Sequence, residues 1–362
     1  MGLKCGIVGL PNVGKSLFFN LITESEVASK NFPFCTIKPN IGYSIIFDQR
    51  VEDIFKIIPS KKKIFSYLEI YDIAGLVKGA SQGEGLGNHF LDNIKKTDAI
   101  IHVVRCFVDE KITHIYGRID PIKDIEIINI ELLLADLSLC KNLLFQVKKK
   151  VLENKNFEEK IKKILKRCYS CLKSGIFLFL LKFTNFELNI ISRYGFLTLK
   201  PTVYLLNISE DRKKNVCLKK VLSFIKKLKC FSIKIKLFLE KLENQKNLNN
   251  FKKKDLSFKK YNNSLKKIVR IGYKLLFLKT FFTVGIKEIK AWTIHIDATA
   301  KDAAHMIHSD IGKGFIRAEI ISYQDFIKYK GKNGAKKFGK LRYEGKKYIL
   351  KDGDIVNILF HI

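Results

Sequence analysis

The chain has 362 residues, a length that predicts two or three domains rather than one. Hydrophobic residues make up 47% of it, which excludes a disordered chain, and 67 Lys and Arg against 35 Asp and Glu give a formal net charge of +32. The strongest membrane candidate, IFLFLL at Ile176–Leu181, is far shorter than the roughly 18 residues of a spanning helix. Because MGLKCGIVGL lacks the pattern of a secretion signal, we expect a cytoplasmic protein with no membrane partner.

Apolar, strand-like runs alternate with helical segments through the first two thirds of the chain. This alternation predicts an α/β fold with a mostly parallel sheet and right-handed crossovers. The predicted strands are Lys4–Leu10, Phe65–Gly75, Ala99–Phe107, Pro201–Asn207 and Ser232–Phe238. Between the third and fourth strands, residues 125–194 carry apolar positions at helical spacing, which predicts an inserted, antiparallel helical arm.

The pattern changes again from about Thr280. KEIKAWTIHI alternates as a strand, DAAHMIHSDIGKGF reads as one helix ending at Gly, and the chain closes with a strand, a DG turn and another strand. A mixed sheet with one helix is typical of a small β-grasp domain. The predicted domains are a nucleotide-binding domain in two parts, the helical arm between them, and a C-terminal domain, at residues 1–124 with 195–279, 125–194 and 280–362.

The segment Gly9–Ser16 matches the phosphate-binding pattern GxxxxGK[ST] between a predicted strand and a predicted helix. The glycines allow consecutive backbone N–H groups to surround phosphate oxygens, and the helix N-terminus adds its positive end. We expect Lys15 to reach the β- and γ-phosphates, where it acts in catalysis. The residues predicted to bind the nucleotide here are Asn12, Val13, Gly14, Lys15, Ser16 and Leu17.

Three oxygen-bearing side chains are predicted to hold Mg²⁺. Ser16 offers its hydroxyl, and Asp72 ends the second predicted strand in a DxxG sequence. Thr36, between these two motifs, is placed to become a ligand when the γ-phosphate is present. The Gly75 N–H is expected to bond the γ-phosphate, and the glycine-rich residues after it favour a switch loop.

Leu76 follows Gly75, where Ras-like GTPases carry the Gln that orients the attacking water. Leucine cannot bond water, so we expect slow intrinsic hydrolysis unless another group assists. Three alternatives stay open: a K⁺ ion near Asn12, a residue supplied by a partner, or His114. A lone histidine is more often structural than catalytic.

The fourth predicted strand ends in Asn207-Ile208-Ser209-Glu210, in the position where GTP-binding proteins carry Asn-Lys-x-Asp. The Asn207 amide can bond the purine N7 edge, and the Ile208 backbone can meet the 6-amino group of adenine. The longer Glu210 side chain does not place its carboxylate where Asp clamps guanine. The tetrad therefore favours ATP.

The cysteines are expected to be free thiols, because the chain has no secretion signal. Cys168 and Cys171 form a CxxC pair, but a zinc site needs a second ligand pair at suitable spacing. Cys35 lies in the predicted switch segment, where it is either redox-sensitive or simply packed.

Together, GIVGLPNVGKS, NFPFCTIKPN, DIAGLVKGASQGEGLGN, FLTLKP, the NxxE tetrad and KDGDIVNILF make the chain similar to the YchF / Obg-like ATPase family over nearly its whole length. The resemblance implies a G-type P-loop domain interrupted by a helical arm, and a C-terminal TGS domain of β-grasp type. It also implies a preference for ATP over GTP and association with ribosomes. The chain departs from the family pattern at Leu17, at Leu237 and Phe238, and in the Lys-rich residues 211–266.

Three functions agree with these observations. The first is an ATPase switch acting on the ribosome and ribosomal RNA, the second is an Obg-class GTPase, and the third is a basic RNA-binding protein with only structural nucleotide. The charge fits a polyanionic partner, although drift toward A/T-rich codons also raises the Lys, Ile, Asn and Phe content. Sequence-specific DNA binding is not expected.

Overall fold

The computed structural model describes residues 3–23, 40–73, 86–149, 155–209, 211, 213, 215–235, 273 and 276–361. Several sequence predictions lie outside these residues. They concern Cys35, Thr36, Gly75, Leu76, Glu210, Leu237 and Phe238.

The described strands and helices follow one another as an α/β chain. The strands are β1 Leu3–Val8, β2 Ile41–Ile46, β3 Lys62–Ile64, β4 Ser66–Asp72, β5 Ala99–Arg105, β6 Thr202–Asn207, β7 Phe231–Ile235, β8 Leu278–Val284, β9 Glu288–His295, β10 Phe315–Ser322, β11 Arg342–Glu344 and β12 Asp354–Phe360. The helices are α1 Lys15–Thr23, α2 Gln49–Ile57, α3 Leu86–Lys95, α4 Pro121–Lys149, α5 Lys155–Lys173, α6 Asn185–Ile191, α7 Leu218–Lys227, α8 Ala300–Ile307, α9 Ser309–Lys313, α10 Tyr323–Lys328 and α11 Lys332–Lys337. Short 3₁₀ helices lie at Leu178–Leu180 and Ser192–Tyr194.

The first sheet has the strand order β2–β4–β1–β5–β6–β7. β2 runs antiparallel to β4, and the other neighbours are parallel. Every residue of β5 and β6 is buried, because helices cover both faces of a parallel sheet. The carboxyl ends of β1, β4, β5 and β6 therefore meet at one edge of the sheet, as the prediction of a mostly parallel sheet requires.

The helical arm consists of α4 and α5, which pack on each other through a core of apolar side chains. Cys140 and Cys168 lie in this core, and burial raises the pKa of the Cys168 thiol to about 12. No group of His, Cys, Asp and Glu among the described residues is arranged to hold a metal ion. Cys171, the second residue of the CxxC pair, packs partly buried against the same core. None of the helices described here is long and apolar enough to cross a membrane.

Asp136, on α4 of the arm, forms hydrogen bonds with the segment that leads into β6. Its carboxylate is buried and accepts from the backbone N–H groups of Leu197 (2.8 Å) and Thr198 (2.7 Å) and from the Thr198 hydroxyl (2.6 Å). Burial raises the pKa of Asp136 to about 6, although these three donors act in the opposite direction.

This buried carboxyl predicts a pH-dependent stability. Its pKa of about 6 in the folded state is above its value of 3.8 in the unfolded chain, so the folded state binds the proton first. The stability contributed by Asp136 therefore rises as the pH falls from about 7 toward 4, by at most about 3 kcal/mol. Urea unfolding of the wild type and Asp136→Asn at pH 7, 6 and 5 should show a difference that grows in favour of the wild type as the pH falls. Asp92→Asn, at an exposed carboxylate paired with Lys95, is the control; a difference that stays constant with pH would contradict the assignment.

The second sheet has the order β11–β10–β12–β8–β9–β3, and it is mixed, as predicted. β3 pairs parallel with β9, and α2 places Val51 and Ile54 in a core with Phe282. Arg50 bridges Asp48 (2.7 Å) and Asp352 (2.8 Å). Residues 48–64 thus pack with the C-terminal region, although they lie within the predicted nucleotide-binding domain.

The prediction of one helix in the C-terminal region is wrong. The helical segment breaks at His308, whose backbone is extended and whose side chain accepts from the Asp310 N–H to begin α9. Two further helices, α10 and α11, follow β10. The strand ahead of the DG turn is only the three-residue β11, and it pairs with β10 rather than with β12.

Candidate functional site

The phosphate-binding loop lies between β1 and α1, as its sequence pattern predicts. Gly9 and Gly14 adopt positive φ angles of 153° and 99°, and Asn12 has φ 60°. A Cβ on Gly9 would lie 2.5 Å from the Val103 carbonyl oxygen of β5, so this position has no room for a side chain. The loop is shaped both by its own backbone and by the strand beneath it.

Lys15 is the buried cation of this loop. Its side chain is 8% exposed, and Nζ donates to the Leu10 carbonyl at 2.8 Å. Burial lowers the pKa of Lys15 to about 8, and the nearby Asp72 carboxylate acts in the opposite direction. The ammonium is therefore held inside the loop with little solvation, where it can bond phosphate oxygens.

Ser16 and Asp72 are two residues near this lysine that carry side-chain oxygen atoms. Ser16 is exposed in the first turn of α1, and Asp72 is the last residue of β4. Asp72 Oδ1 is buried and has no hydrogen-bond partner among the described residues. A hydroxyl and a carboxylate are ligands that Mg²⁺ prefers, so these residues fit that ion.

Asn207, at the end of β6, contacts the phosphate-binding loop directly. Its Nδ2 donates to the Val13 carbonyl at 3.0 Å, which fixes the orientation of the amide. The side chain is fully buried, and Oδ1 has no hydrogen-bond partner in the described part of the chain. Ile208 follows it half-buried. The structure thus joins the predicted base-reading tetrad to the predicted phosphate loop, a contact that the sequence did not predict.

Asn215 is a residue that sequence reasoning missed. Its Oδ1 accepts from the Ser209 N–H at 2.8 Å, and its Nδ2 donates to the carbonyls of Ser209 (3.0 Å) and Asp211 (3.1 Å). These three bonds hold the chain just after Asn207. Asparagine commonly bonds nearby backbone groups in loops, but nothing in the Lys-rich sequence around Asn215 singles it out.

Arg105 was also missed, because it ends a strand that otherwise reads as apolar. It is fully buried, and its guanidinium donates to carbonyl groups of the segment after β5. The Thr113 carbonyl of the same segment accepts from Asn12 Nδ2 at 3.3 Å. The loop after β5 therefore lies against the phosphate-binding loop.

His114 is engaged at both ring nitrogens. Its Nδ1 accepts from the Tyr116 N–H at 3.2 Å, so Nε2 carries the proton that is donated to Asp124 Oδ2 at 3.0 Å. The His114 side chain is 4% exposed, and burial raises the pKa of Asp124. In this arrangement both ring nitrogens of His114 are used in bonds to Asp124 and Tyr116.

Two family models match the chain. One, described as a 50S ribosome-binding GTPase, matches residues 4–135. The other is the C-terminal model of YchF-type GTPases, described as a protein of unknown function, and it matches residues 278–361. The two models cover the N-terminal part of the first sheet and nearly all of the described C-terminal region.

Full-length relatives are similar to this chain from end to end. The "Ribosome-binding ATPase YchF" of Buchnera aphidicola subsp. Acyrthosiphon pisum is 50% identical, and that of Escherichia coli O157:H7 is 44% identical, each alignment covering 100% of both chains. The solved structure of the Schizosaccharomyces pombe YchF GTPase is 34% identical and superposes with a TM-score of 0.83, covering 99% of this chain and 98% of that one. The names of these relatives differ in the nucleotide they give, ATP or GTP.

Proposed function

Because the chain belongs to the YchF family, we propose that it is an ATPase that binds ATP with Mg²⁺, hydrolyses it slowly to ADP and phosphate, and acts as a nucleotide-dependent switch on cytoplasmic ribosomes. The choice of ATP rests on the Asn207 amide. Its Nδ2 donates to the phosphate loop, and its Oδ1 has no hydrogen-bond partner among the described residues. Hydrolase activity on a nucleotide is supported by the P-loop and by the names of the relatives.

The phosphates are proposed to lie along residues 12–17, with the Lys15 ammonium facing the β- and γ-phosphates. Ser16 and Asp72 would hold Mg²⁺, together with Thr36, and the ion would neutralise charge that develops on the phosphate oxygens. The buried Asp72 Oδ1 supports this assignment, because a carboxylate oxygen without a donor is costly unless a cation or water meets it. The Gly75 N–H is proposed to bond the γ-phosphate.

The base preference follows from the donors and acceptors that Asn207 can present. The second Nδ2 hydrogen can be donated to N7 of either purine, whereas the unpartnered Oδ1 accepts a hydrogen bond. Adenine offers a 6-amino donor beside N7, and guanine offers the O6 acceptor instead. Asn207 is fully buried in this conformation, so its neighbours must move slightly to admit the base. The Ile208 backbone is proposed as a second contact.

The chain connection between the two sheets supports a switch. β2 begins just after the segment that contains Thr36, and β4 ends at Asp72, just before Gly75. Between β2 and β4, α2 and β3 pack into the C-terminal sheet. Rearrangement of the predicted switch segments would therefore act on β2 and β4, whose connecting residues pack in the C-terminal sheet. The C-terminal TGS-type domain and the helical arm are proposed to present this change to the ribosome and ribosomal RNA.

Because Leu76 cannot position the attacking water, we propose that another group does so. The three candidates are a K⁺ ion near Asn12, a residue supplied by a partner, and His114. A K⁺ ion near Asn12 or a residue from the ribosome would leave the hydrogen bonds of His114 in place. His114 would first have to leave Asp124 and Tyr116. Hydrolysis without ribosomes is expected to be slow in each case.

The decisive experiment is a titration of the purified protein with ATP, GTP and purine riboside triphosphate, which lacks the 6-amino group. We expect ATP to bind at least about tenfold more tightly than either of the others, because one lost hydrogen bond in a buried site costs about 1.5 kcal/mol or more. Isothermal titration with Mg²⁺ present gives the three dissociation constants.

Two outcomes would contradict parts of this proposal. Tighter binding of GTP would favour an Obg-class GTPase on the same fold. Absence of hydrolysis with Mg²⁺ and K⁺, both with and without ribosomes, would favour a basic ribosome- or RNA-binding protein in which nucleotide is only structural.

A further inference from the structure

Arg105 is the last residue of β5, and its guanidinium is completely buried. Its Nε donates to the Phe107 carbonyl at 3.2 Å, and the two terminal nitrogens donate to the carbonyls of Ile112 and Asp109, each at 3.0 Å. The guanidinium also lies 5.0 Å from the centre of the Phe107 ring. One side chain therefore sets the path of the backbone from Phe107 to Ile112.

This segment touches the nucleotide site at two places. Thr113, the residue after Ile112, accepts from Asn12 Nδ2 through its carbonyl at 3.3 Å, and Asn12 is held at φ 60° within the phosphate loop. At the other end, the Cys106 N–H donates to the Asn207 carbonyl at 2.8 Å. The loop at residues 106–113 thus spans from the predicted base-reading residue to the phosphate loop.

A role in core stability alone does not explain this side chain. Burial of a guanidinium carries a desolvation cost, and it lowers the pKa of Arg105. An apolar side chain of similar volume would avoid this desolvation cost, but it would leave the carbonyls of Phe107, Asp109 and Ile112 without their donor. What an apolar side chain could not do is hold three backbone carbonyls in one geometry.

We propose that Arg105 is a positioning residue for hydrolysis, which acts through the loop at residues 106–113 and the Thr113–Asn12 contact to fix the backbone of the phosphate loop. Arg105 does not touch the nucleotide itself. The proposal rests on the proposed ATPase function. Backbone N–H groups that stabilise developing charge must be aimed closely, and a small displacement of such groups reduces the rate more than it reduces binding.

Steady-state ATP hydrolysis by Arg105→Met, Asn12→Ala and the double variant tests this route. We expect each single variant to lower kcat about tenfold with KM changed by no more than about threefold. The double variant should lose less than the product of the two single losses, because both substitutions break the Thr113–Asn12 connection, although Asn12 is also proposed to bind the nucleotide. Arg105→Lys, which keeps the charge and part of the donor set, should recover part of the rate. Arg193→Met, at an exposed arginine, is the matched control. Wild-type kcat in Arg105→Met, or effects that multiply in the double variant, would overturn the proposal.

Hydrogen exchange gives a readout that does not depend on turnover. In Arg105→Met the amide of Ile112, which closes a turn of this loop, and that of Gly117, which closes the turn after it, should exchange faster than in the wild type, while those of β6 should not. Unchanged exchange at Ile112 and Gly117 would count against the proposal.

If Arg105→Met does not fold, Arg105→Lys and Asn12→Ala carry the test, since Asn12 is exposed. A wild-type protein that hydrolyses no nucleotide would refute the proposed function instead, whereas an active wild type with an equally active Arg105→Met would refute only this inference.

Discussion

Lys15→Met is expected to lower ATP hydrolysis at least about 100-fold at saturating Mg²⁺ and ATP. The Lys15 ammonium is held within the phosphate loop by the Leu10 carbonyl, and its burial leaves it poorly solvated. A cation fixed in a water-poor site stabilises developing phosphate charge far more than one in bulk water, and removing one such group typically costs about 10²–10³ in rate. Methionine keeps most of the buried stem, so the fold is expected to persist. Phosphate release measured over a range of enzyme concentrations gives the rate.

A second lysine provides the control for this prediction. Lys219 is exposed on α7, and Lys219→Met makes the same chemical change without reaching the phosphate loop. We expect its rate to match that of the wild type. Similar losses in both variants would show that net charge matters rather than the position of Lys15. An active Lys15→Met would refute the assignment of this residue.

Gly9→Ala is expected to destabilise the protein by about 2–5 kcal/mol. The added Cβ would lie 2.5 Å from the Val103 carbonyl oxygen, which belongs to the backbone of β5 and cannot rotate away as a side chain could, and 3.1 Å from Val13 Cγ2. The cost combines an unfavourable φ of 153° with overpacking against β5. Urea unfolding monitored by circular dichroism measures the difference in the free energy of unfolding.

Gly175→Ala separates these two causes. Gly175 also has a positive φ, of 74°, but a Cβ there would have no described atom within 4 Å. Its substitution should therefore cost only about 1 kcal/mol, from backbone strain alone. If the two variants lost equal stability, the close approach of Gly9 to Val103 would not be the reason for glycine at this position.

The main strands of the first sheet were predictable because their signals are local. β5 and β6 are continuous apolar runs, as expected for strands covered on both faces, and the structure confirms them within one or two residues of the predicted ends. The phosphate loop was predictable for the same reason, since its glycines and lysine lie within eight consecutive residues. The helical arm followed from apolar residues at helical spacing, and α4 and α5 confirm it.

The segment at residues 40–64 was not predicted, because its structure depends on distant partners. β3 has only three residues and forms on pairing with β9, and the nearby Ser60 hydroxyl bonds the Gly285 carbonyl, 225 positions away. A three-residue strand has no periodicity that sequence reasoning can detect. The break of the C-terminal helix at His308 was missed because the residues HMIHSDIG continue the helical pattern unless His308 is recognised as the N-cap of a new helix.

By itself, the sequence predicted a phosphate loop with Lys15 and Ser16, a metal-ligating role for Asp72, and a tetrad that begins with Asn207, because each motif depends on residues that are close together in the chain. Only the tertiary structure decided that the Asn207 amide bonds Val13 and that Arg105 holds the loop that reaches Asn12. Those contacts join segments that the sheet topology brings together at the carboxyl ends of β1, β5 and β6. Which polar groups meet there depends on the packing of the whole sheet, and no short stretch of sequence contains that information.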